Sequence, residues 1–120
     1  MNIEDFREKC ISMPGVSESF PFDNDTLVFK VMGKLFALVS LEKASSANLK
    51  CEPEKAIDLR EHFESVQPGY HMNKQHWNTV FFDGDVPDKL FDELIKESYQ
   101  LVVSGLTKKL KEELKQITIA

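Results

Sequence analysis

Apolar and polar positions along the chain follow two periods, which separate helical from extended segments. Ile3, Phe6 and Cys10 recur three or four residues apart, with charged residues between them. This spacing predicts a helix over residues 2–12 with one apolar face. Pro14-Gly15 ends it, because proline disfavours helical backbone in the residue before it and glycine suits a turn.

Runs rich in β-branched and aromatic residues predict five strands. The predicted strands are residues 26–31, 34–40, 45–51, 66–71 and 77–82. Met32-Gly33 separates the first two, which indicates a tight hairpin. Residues 17–25 are predicted to form a connection whose Phe20-Pro21-Phe22 run covers the core.

Two further helical segments follow from the pattern. Pro53 suits the first turn of a helix through residue 63. A longer helix begins after Asp85, which is predicted to cap it, and carries a continuous apolar stripe. Ser104-Gly105 interrupts this helix, and Thr107 is predicted to cap a short terminal one.

The predicted order is helix, three strands, helix, two strands, helix. Strands joined by hairpins, with the helices gathered on one side, indicate an α+β fold: a two-layer domain with an antiparallel sheet. A chain of 120 residues is the size of one domain, so residues 1–120 are predicted to form a single unit.

The charge distribution limits the classes of partner. The net charge is −5, which argues against strong non-specific binding to nucleic acid. Residues 26–50 and 66–82 nevertheless sum to +4, and the remainder to −9. If these two stretches pack side by side, the molecule has a mildly basic face on an acidic body.

Location and cofactor chemistry are predicted mostly from what the sequence lacks. The sequence has no apolar run of membrane-spanning length and no secretory pattern at its start, and its only two cysteines are Cys10 and Cys51. A cytoplasmic protein with no membrane partner is therefore predicted. No catalytic motif, phosphate loop or CxxC pair occurs, so we predict no enzyme activity and no cofactor.

Residues 67–80 combine aromatic, amide, imidazole and ammonium groups within a short span. Such a mixture can contact phosphates and stack on bases. It can equally form a structural corner in which Trp77 anchors the core and polar side chains bond to turn backbone. The residue types alone leave both interpretations open.

Three stretches carry a resemblance to a known family. These are the run from Gly69 to Val80, the segment from Cys10 to Val16 with Phe20-Pro21-Phe22, and the hairpin from Thr26 to Ala37. Together with Tyr99 to Val103 and Lys108-Lys109, they resemble the MmcQ/YjbR family of small bacterial proteins over essentially the whole chain. The chain departs from the pattern at Gly105 and Thr107, where a Lys-Leu-Pro-like junction is expected.

The resemblance implies the same element order, in a fold similar to type III secretion chaperones and loosely to frataxin. It also implies DNA binding through a "double wing" of hairpins, and it brings no catalytic residues. The matching positions are candidates for a nucleic-acid site or, for Tyr70 and Trp77, a structural role. The candidate nucleic-acid contacts are Lys30, Lys34, His71, Asn73, Lys74, His76 and Asn78.

Two alternatives to DNA binding stay open. The acidic balance favours a protein-interaction or chaperone-like adaptor that uses the sheet or an apolar edge. A small-molecule or metal-ion binder would use His71 with His76, or the acidic first helix with Glu4, Asp5 and Glu8. Two histidines without a carboxylate or thiolate nearby in sequence make a poor metal site, so no metal is predicted.

Overall fold

The computed structural model describes residues 1–70 and 72–119, which form four helices and six strands. The strands are β1 (Val16–Ser19), β2 (Thr26–Val31), β3 (Lys34–Ser40), β4 (Ser46–Lys50), β5 (Val66–Pro68) and β6 (Trp77–Phe81). The helices are α1 (Ile3–Ser12), α2 (Pro53–His62), α3 (Asp88–Ser104) and α4 (Lys108–Ile119).

The six strands form one sheet in the order β1-β2-β3-β4-β6-β5, and every neighbouring pair is antiparallel. The predicted α+β class with an antiparallel sheet is confirmed. Met32 and Gly33 both have positive φ, which is the backbone that a two-residue hairpin turn requires.

The core lies between one face of the sheet and the helices. Phe6 of α1 makes ring contacts with Phe29 of β2 and Phe91 of α3 at centroid distances of 5.9 and 6.2 Å. Ala56 of α2 and Leu114 of α4 belong to the same buried cluster. Burial of these apolar side chains is the main favourable contribution to folding.

Several boundaries follow the predicted local chemistry. Asn2, which was predicted to lie within the first helix, instead caps α1 by accepting a hydrogen bond from the Asp5 amide at 2.8 Å. Pro53 occupies the first turn of α2. α3 ends at Gly105, and Thr107 caps α4 through the Leu110 amide, as the sequence predicts.

Strand β1 corrects the sequence prediction, because residues 17–25 were expected to form only a connection. β1 is an edge strand whose last three residues are exposed, so it lacks the apolar alternation that predicts a strand. Main-chain pairing with β2 defines it instead, from Val16 opposite Val31 to Ser19 opposite Val28.

The Phe20-Pro21-Phe22 run does not cover the core, contrary to the prediction. Phe20 is 44% exposed and Phe22 70% exposed. The loop is held from its other end, where the Asp23 carboxylate accepts hydrogen bonds from the amides of Asp25 and Thr26. These bonds fix the turn into β2 without burying either ring.

Strand β5 is shorter than predicted. It ends at Pro68, and the predicted extension reaches His71, which lies outside the described residues. Gly69 then approaches β6 so closely that an added Cβ would lie 2.8 Å from the Trp77 Cβ. Trp77 itself is 9% exposed, so its predicted burial is confirmed.

Ser98 of α3 occupies a place in the sheet where a ladder hydrogen bond would otherwise lie. The β3–β4 ladder ends at Ala37 opposite Leu49, beside an irregularity in the β2–β3 register. At the next position the Ser98 hydroxyl donates to the Phe36 carbonyl at 2.5 Å and accepts from the Lys50 amide at 2.8 Å. Ser98 is fully buried, so this one hydroxyl satisfies two main-chain groups.

Replacing Ser98 should therefore destabilise the fold. Ser98→Ala leaves a buried carbonyl and a largely enclosed amide without their partner, which costs about 1–3 kcal/mol for such a group. Urea unfolding measures the loss. Ser104→Ala, which removes an exposed hydroxyl bonded only to the Leu101 carbonyl, is the matched control and should change stability by less than about 0.5 kcal/mol. Equal effects of the two variants would contradict this assignment.

Asp85 does not cap α3, contrary to the prediction, since Pro87 stands at the cap. Its carboxylate instead accepts hydrogen bonds from the amides of Glu64 and Ser65 and from the Ser65 hydroxyl. These bonds, led by that of the Ser65 hydroxyl, hold the pKa of Asp85 below its usual range. The contact fastens the α2–β5 loop to the β6–α3 loop.

This contact predicts a pH-dependent term in stability. A carboxyl group whose pKa is lowered by folding stabilises the protein above its unfolded pKa of about 3.9, and that stabilisation is lost as pH falls through the folded value. The Asp85→Asn variant should therefore be less stable than the parent at neutral pH. The difference in stability between the two proteins should become smaller in acid. Thermal unfolding of both proteins, from neutral pH down through about pH 3.9, measures this difference in stability. A difference that stays constant with pH would contradict the prediction.

Candidate nucleic-acid interface

The sheet has one face toward the helices and one face without a helix in the described part of the chain. Along β2 the core residues Leu27, Phe29 and Val31 alternate with Val28 and Lys30, so the latter pair points away from the helices. We call this outward side of β2, β3, β4 and β6 the open face. Its residues include Lys30, Leu38, Asn48, Lys50, Trp77 and Thr79.

Two lysines lie close together at one end of the open face. Lys30 pairs with Leu35, and Lys50 pairs with Trp77 on its other side. Lys50 lies one residue beyond the last β3–β4 pair, which is Ala37 with Leu49. Lys30 and Lys50 are therefore separated by one intervening strand, which corresponds to at least about 10 Å.

Several cations of the helical layer form ion pairs, and within the described residues Lys30 and Lys50 of the open face form none. The ion pairs of helix residues include Arg7 with Glu18, Lys9 with Asp92, and Lys55 with Glu97. Within the described residues, Lys30 and Lys50 have no carboxylate within 4.0 Å. Both residues are half-buried, as is usual for lysines whose stems lie along a sheet while the charged ends stay in water.

The segment between β5 and β6 folds back on itself. The Gly69 amide donates to the Trp77 carbonyl at 2.9 Å, and the Trp77 amide donates to the Asn73 carbonyl at 3.0 Å. The Asn73 side chain accepts from the Gln75 amide, and Lys74 Nζ donates to the Gly69 carbonyl at 3.1 Å. Asn73 therefore stabilises the turn, and the Lys74 ammonium contacts the chain's own backbone.

Asn78 is a correction to the candidate list. It is 2% exposed and lies on the helix face of β6, where its Nδ2 donates to the Ala56 carbonyl of α2. Within the described part of the chain its Oδ1 has no partner. A nucleic acid cannot reach this side chain, because alternation along β6 turns it into the core.

Tyr70 crosses the open face with its main chain fixed and its ring exposed. Its amide donates to Thr79 Oγ1 at 3.0 Å, and its carbonyl accepts from Asn48 Nδ2 at 3.4 Å. The Thr79 hydroxyl in turn donates to Asn48 Oδ1. The ring is 61% exposed, and Lys43 Nζ lies 5.6 Å from its centroid, within cation–π range.

The other predicted contacts are dispersed. Lys34 is exposed at the β2–β3 turn opposite Val31, a position that alternation assigns to the helix side. His76 is exposed in the turn before β6, and His71 lies outside the described residues. For these residues and for Lys30 and Lys74, a role in binding stays a prediction.

Sequence reasoning missed Lys50 and Lys43. Alternation of Ala47 and Leu49 toward the core was visible in the sequence and would have assigned Lys50 to the outward side. No local signal could identify Lys43, because its position over the Tyr70 ring joins loops that are far apart in sequence.

Neither cysteine has the surroundings of a reactive thiol. Cys10 and Cys51 are free and buried, and burial raises the pKa of both thiols. A groove of about 460 Å³ beside Cys51 is lined by both members of the Lys55–Glu97 ion pair.

No group of three or more metal-binding side chains occurs among the described residues. Over that same part of the chain, no helix is long and apolar enough to span a membrane.

Comparison with known proteins identifies the family. The sequence model of the YjbR family matches residues 11–101. This chain belongs to the YjbR family. It is 36% identical over 118 residues to the uncharacterised protein YjbR of Escherichia coli K12, covering 98% of this chain and 100% of that one. The uncharacterised protein YbdF of E. coli O157:H7 is 37% identical over 107 residues, with 88% of each chain covered.

Solved structures of similar proteins have the same fold. The crystal structure of Deinococcus radiodurans protein DR2400, a DUF419 domain, has a TM-score of 0.87 at 42% identity and covers 95% of this chain and 88% of its own. A protein from Pseudomonas syringae has a TM-score of 0.72 at 29% identity, with 84% and 98% covered. The predicted resemblance to this bacterial family is thereby confirmed.

The hydrogen bonds of the Thr79 hydroxyl give a testable prediction of how Tyr70 is held on the open face. Thr79→Val removes the acceptor of the Tyr70 amide and the donor to Asn48, while keeping the side-chain shape. We expect faster hydrogen exchange at the Tyr70 amide, because its hydrogen bond is lost. The Val80 amide in the centre of the sheet is the internal control. Unchanged exchange at Tyr70 would contradict the described contact.

Proposed function

We propose that this YjbR-family protein binds nucleic acid, with DNA as the first candidate, through the open face. The observation that carries the proposal is the position of Lys30 and Lys50. They lie on one helix-free face, a single strand apart, and have no carboxylate partner in the described part of the chain. Lysines held this way are suited to contact phosphates.

The expected binding is weak and depends strongly on salt. Only a few lysines are available, which are Lys30 and Lys50 with Lys43 nearby, so about two or three phosphates would be neutralised. The logarithm of affinity should then fall with the logarithm of salt at a slope of about −2 to −3. The net charge of −5 repels a polyanion at long range, and at 0.1 M salt this repulsion is screened beyond about 10 Å.

The proposal assigns a binding role rather than a catalytic one. The two thiols are buried with raised pKa values, which supports this choice. A cytoplasmic location is also part of the proposal, and its support is that Cys10 and Cys51 are both free.

A protein-interaction role is the second candidate, and a separate surface favours it. Phe20 and Phe22 are exposed in a loop whose far end is fixed by the Asp23 carboxylate. Two exposed rings on an ordered loop are suited to an apolar site on another protein. Such a complex would tolerate salt and would be lost in the Phe20→Ser/Phe22→Ser variant.

Removing two charges from the open face tests the DNA proposal. The Lys30→Gln/Lys50→Gln variant should lose binding of a labelled duplex, because the two ammonium groups together supply the phosphate contacts. Fluorescence anisotropy at about 0.01 M ionic strength, where the Debye length is roughly 30 Å, gives the most sensitive measurement.

Lys89→Gln/Lys96→Gln is the matched control. Both lysines are exposed on α3, and this variant carries the same net charge, since −5 minus 2 is −7 in each case. The control should bind as the parent does, apart from a small loss from added long-range repulsion. Equal loss in both double variants, or a parent that binds neither a duplex nor a single strand, would refute the proposal.

A further inference from the structure

The open face has no projecting hairpin in the described residues. The β2–β3 hairpin is paired up to its tip, with Val31 opposite Lys34 and only Met32 and Gly33 between them. The loop between β5 and β6 is pulled back toward the sheet by the bond from the Gly69 amide to the Trp77 carbonyl. Arg60 of α2 also donates to the Lys74 carbonyl and holds this loop near the helix.

A sheet face from which no hairpin projects is poorly suited to a duplex groove. The major groove of B-DNA is read by a helix or a two-stranded ribbon that enters it, and the minor groove is narrower still. Single-stranded nucleic acid has no groove to be entered, so its binding does not require a projecting element. It lies along a surface with its phosphates beside cations, and its unpaired bases stack on exposed aromatic rings.

The open face provides aromatic rings beside its lysines. Tyr70 is 61% exposed, and its amide and carbonyl are bonded to Thr79 and Asn48. Phe81 is 39% exposed and lies two residues beyond Thr79 on the same outward side of β6. Main-chain bonds therefore fix where the Tyr70 ring is presented, which lowers the ordering cost of stacking.

The lysines lie where phosphates flanking a stacked base would pass. Lys43 Nζ is 5.6 Å from the Tyr70 centroid, and Lys50 is two residues along β4 from Asn48, which bonds to the Tyr70 carbonyl. Lys30 is one strand beyond β3. The distance from β6 to β2 is three strand spacings, or about 14 Å. A short single-stranded oligonucleotide would therefore span the face.

We infer that the ligand of the open face is single-stranded nucleic acid, with one base stacked on Tyr70 and its phosphates beside Lys43, Lys50 and Lys30. This inference rests on the proposed function, and it replaces the duplex as the preferred ligand.

The test compares a labelled oligothymidine strand, an oligouridine strand and a duplex of equal length by anisotropy at low salt. The parent should bind one or both single strands at least about tenfold more tightly than the duplex, since only they can stack an unpaired base. Tyr70→Ala should weaken single-strand binding about tenfold, and Tyr70→Phe should retain it. Phe22→Ala, which removes an exposed ring outside the open face, should have no effect.

The outcomes separate the inference from the proposed function. Equal or tighter duplex binding, unaffected by Tyr70→Ala, overturns the inference and leaves the proposed function standing. Binding of none of the three probes overturns both. Displacement of the oligonucleotide by a polyglutamate peptide at lower concentration than by unlabelled strand also overturns the inference, because the site then prefers an acidic polypeptide. Loss of affinity in Tyr70→Phe as large as in Tyr70→Ala would exclude stacking.

Discussion

A single buried hydroxyl joins the helical layer to the sheet, and the geometry of the open face depends on it. Ser98 of α3 stands between the Phe36 carbonyl and the Lys50 amide, where a direct ladder bond would otherwise join β3 and β4. The strands are therefore held apart at this end by a helix residue. Lys50 has its backbone fixed from the core side, while its side chain alternates to the opposite side beside Trp77. Core packing thus determines where a surface cation is placed.

The helical layer and the open face differ in the ion pairs that their charged side chains form. Some acidic residues of the helical layer are paired with cations of the same layer or its edge, as in Lys55–Glu97 and Arg7–Glu18. The open face has no equivalent pairing for Lys30 or Lys50 within the described residues. A net charge of −5 therefore describes the whole molecule and not this face. At physiological salt the Debye length is about 8 Å, so a polyanion in contact with the face experiences mainly the nearby lysines.

The sequence predicted those features that depend on local chemistry. The helix cap at Thr107 and the hairpin at Met32-Gly33 were recognisable because each uses neighbouring residues. Edge strand β1 was missed because main-chain pairing alone defines it, without an apolar pattern. Asp85 was misassigned because its amide partners lie 20 and 21 residues away, where no local rule reaches. For the candidate site, the family resemblance identified Lys30, but no sequence pattern could bring Lys43 to Tyr70.

The family segment from Gly69 to Val80 serves two separable purposes, which bears on how far family membership implies binding. Gly69, Asn73 and Asn78 serve the fold: a close approach to Trp77, a turn, and a bond to α2. Thr79 and Tyr70 instead shape the open face. A protein that shares this segment therefore needs much of it simply to fold. Family membership predicts the scaffold, and the ligand must be decided by the outward residues, above all the Tyr70 ring and the lysines around it.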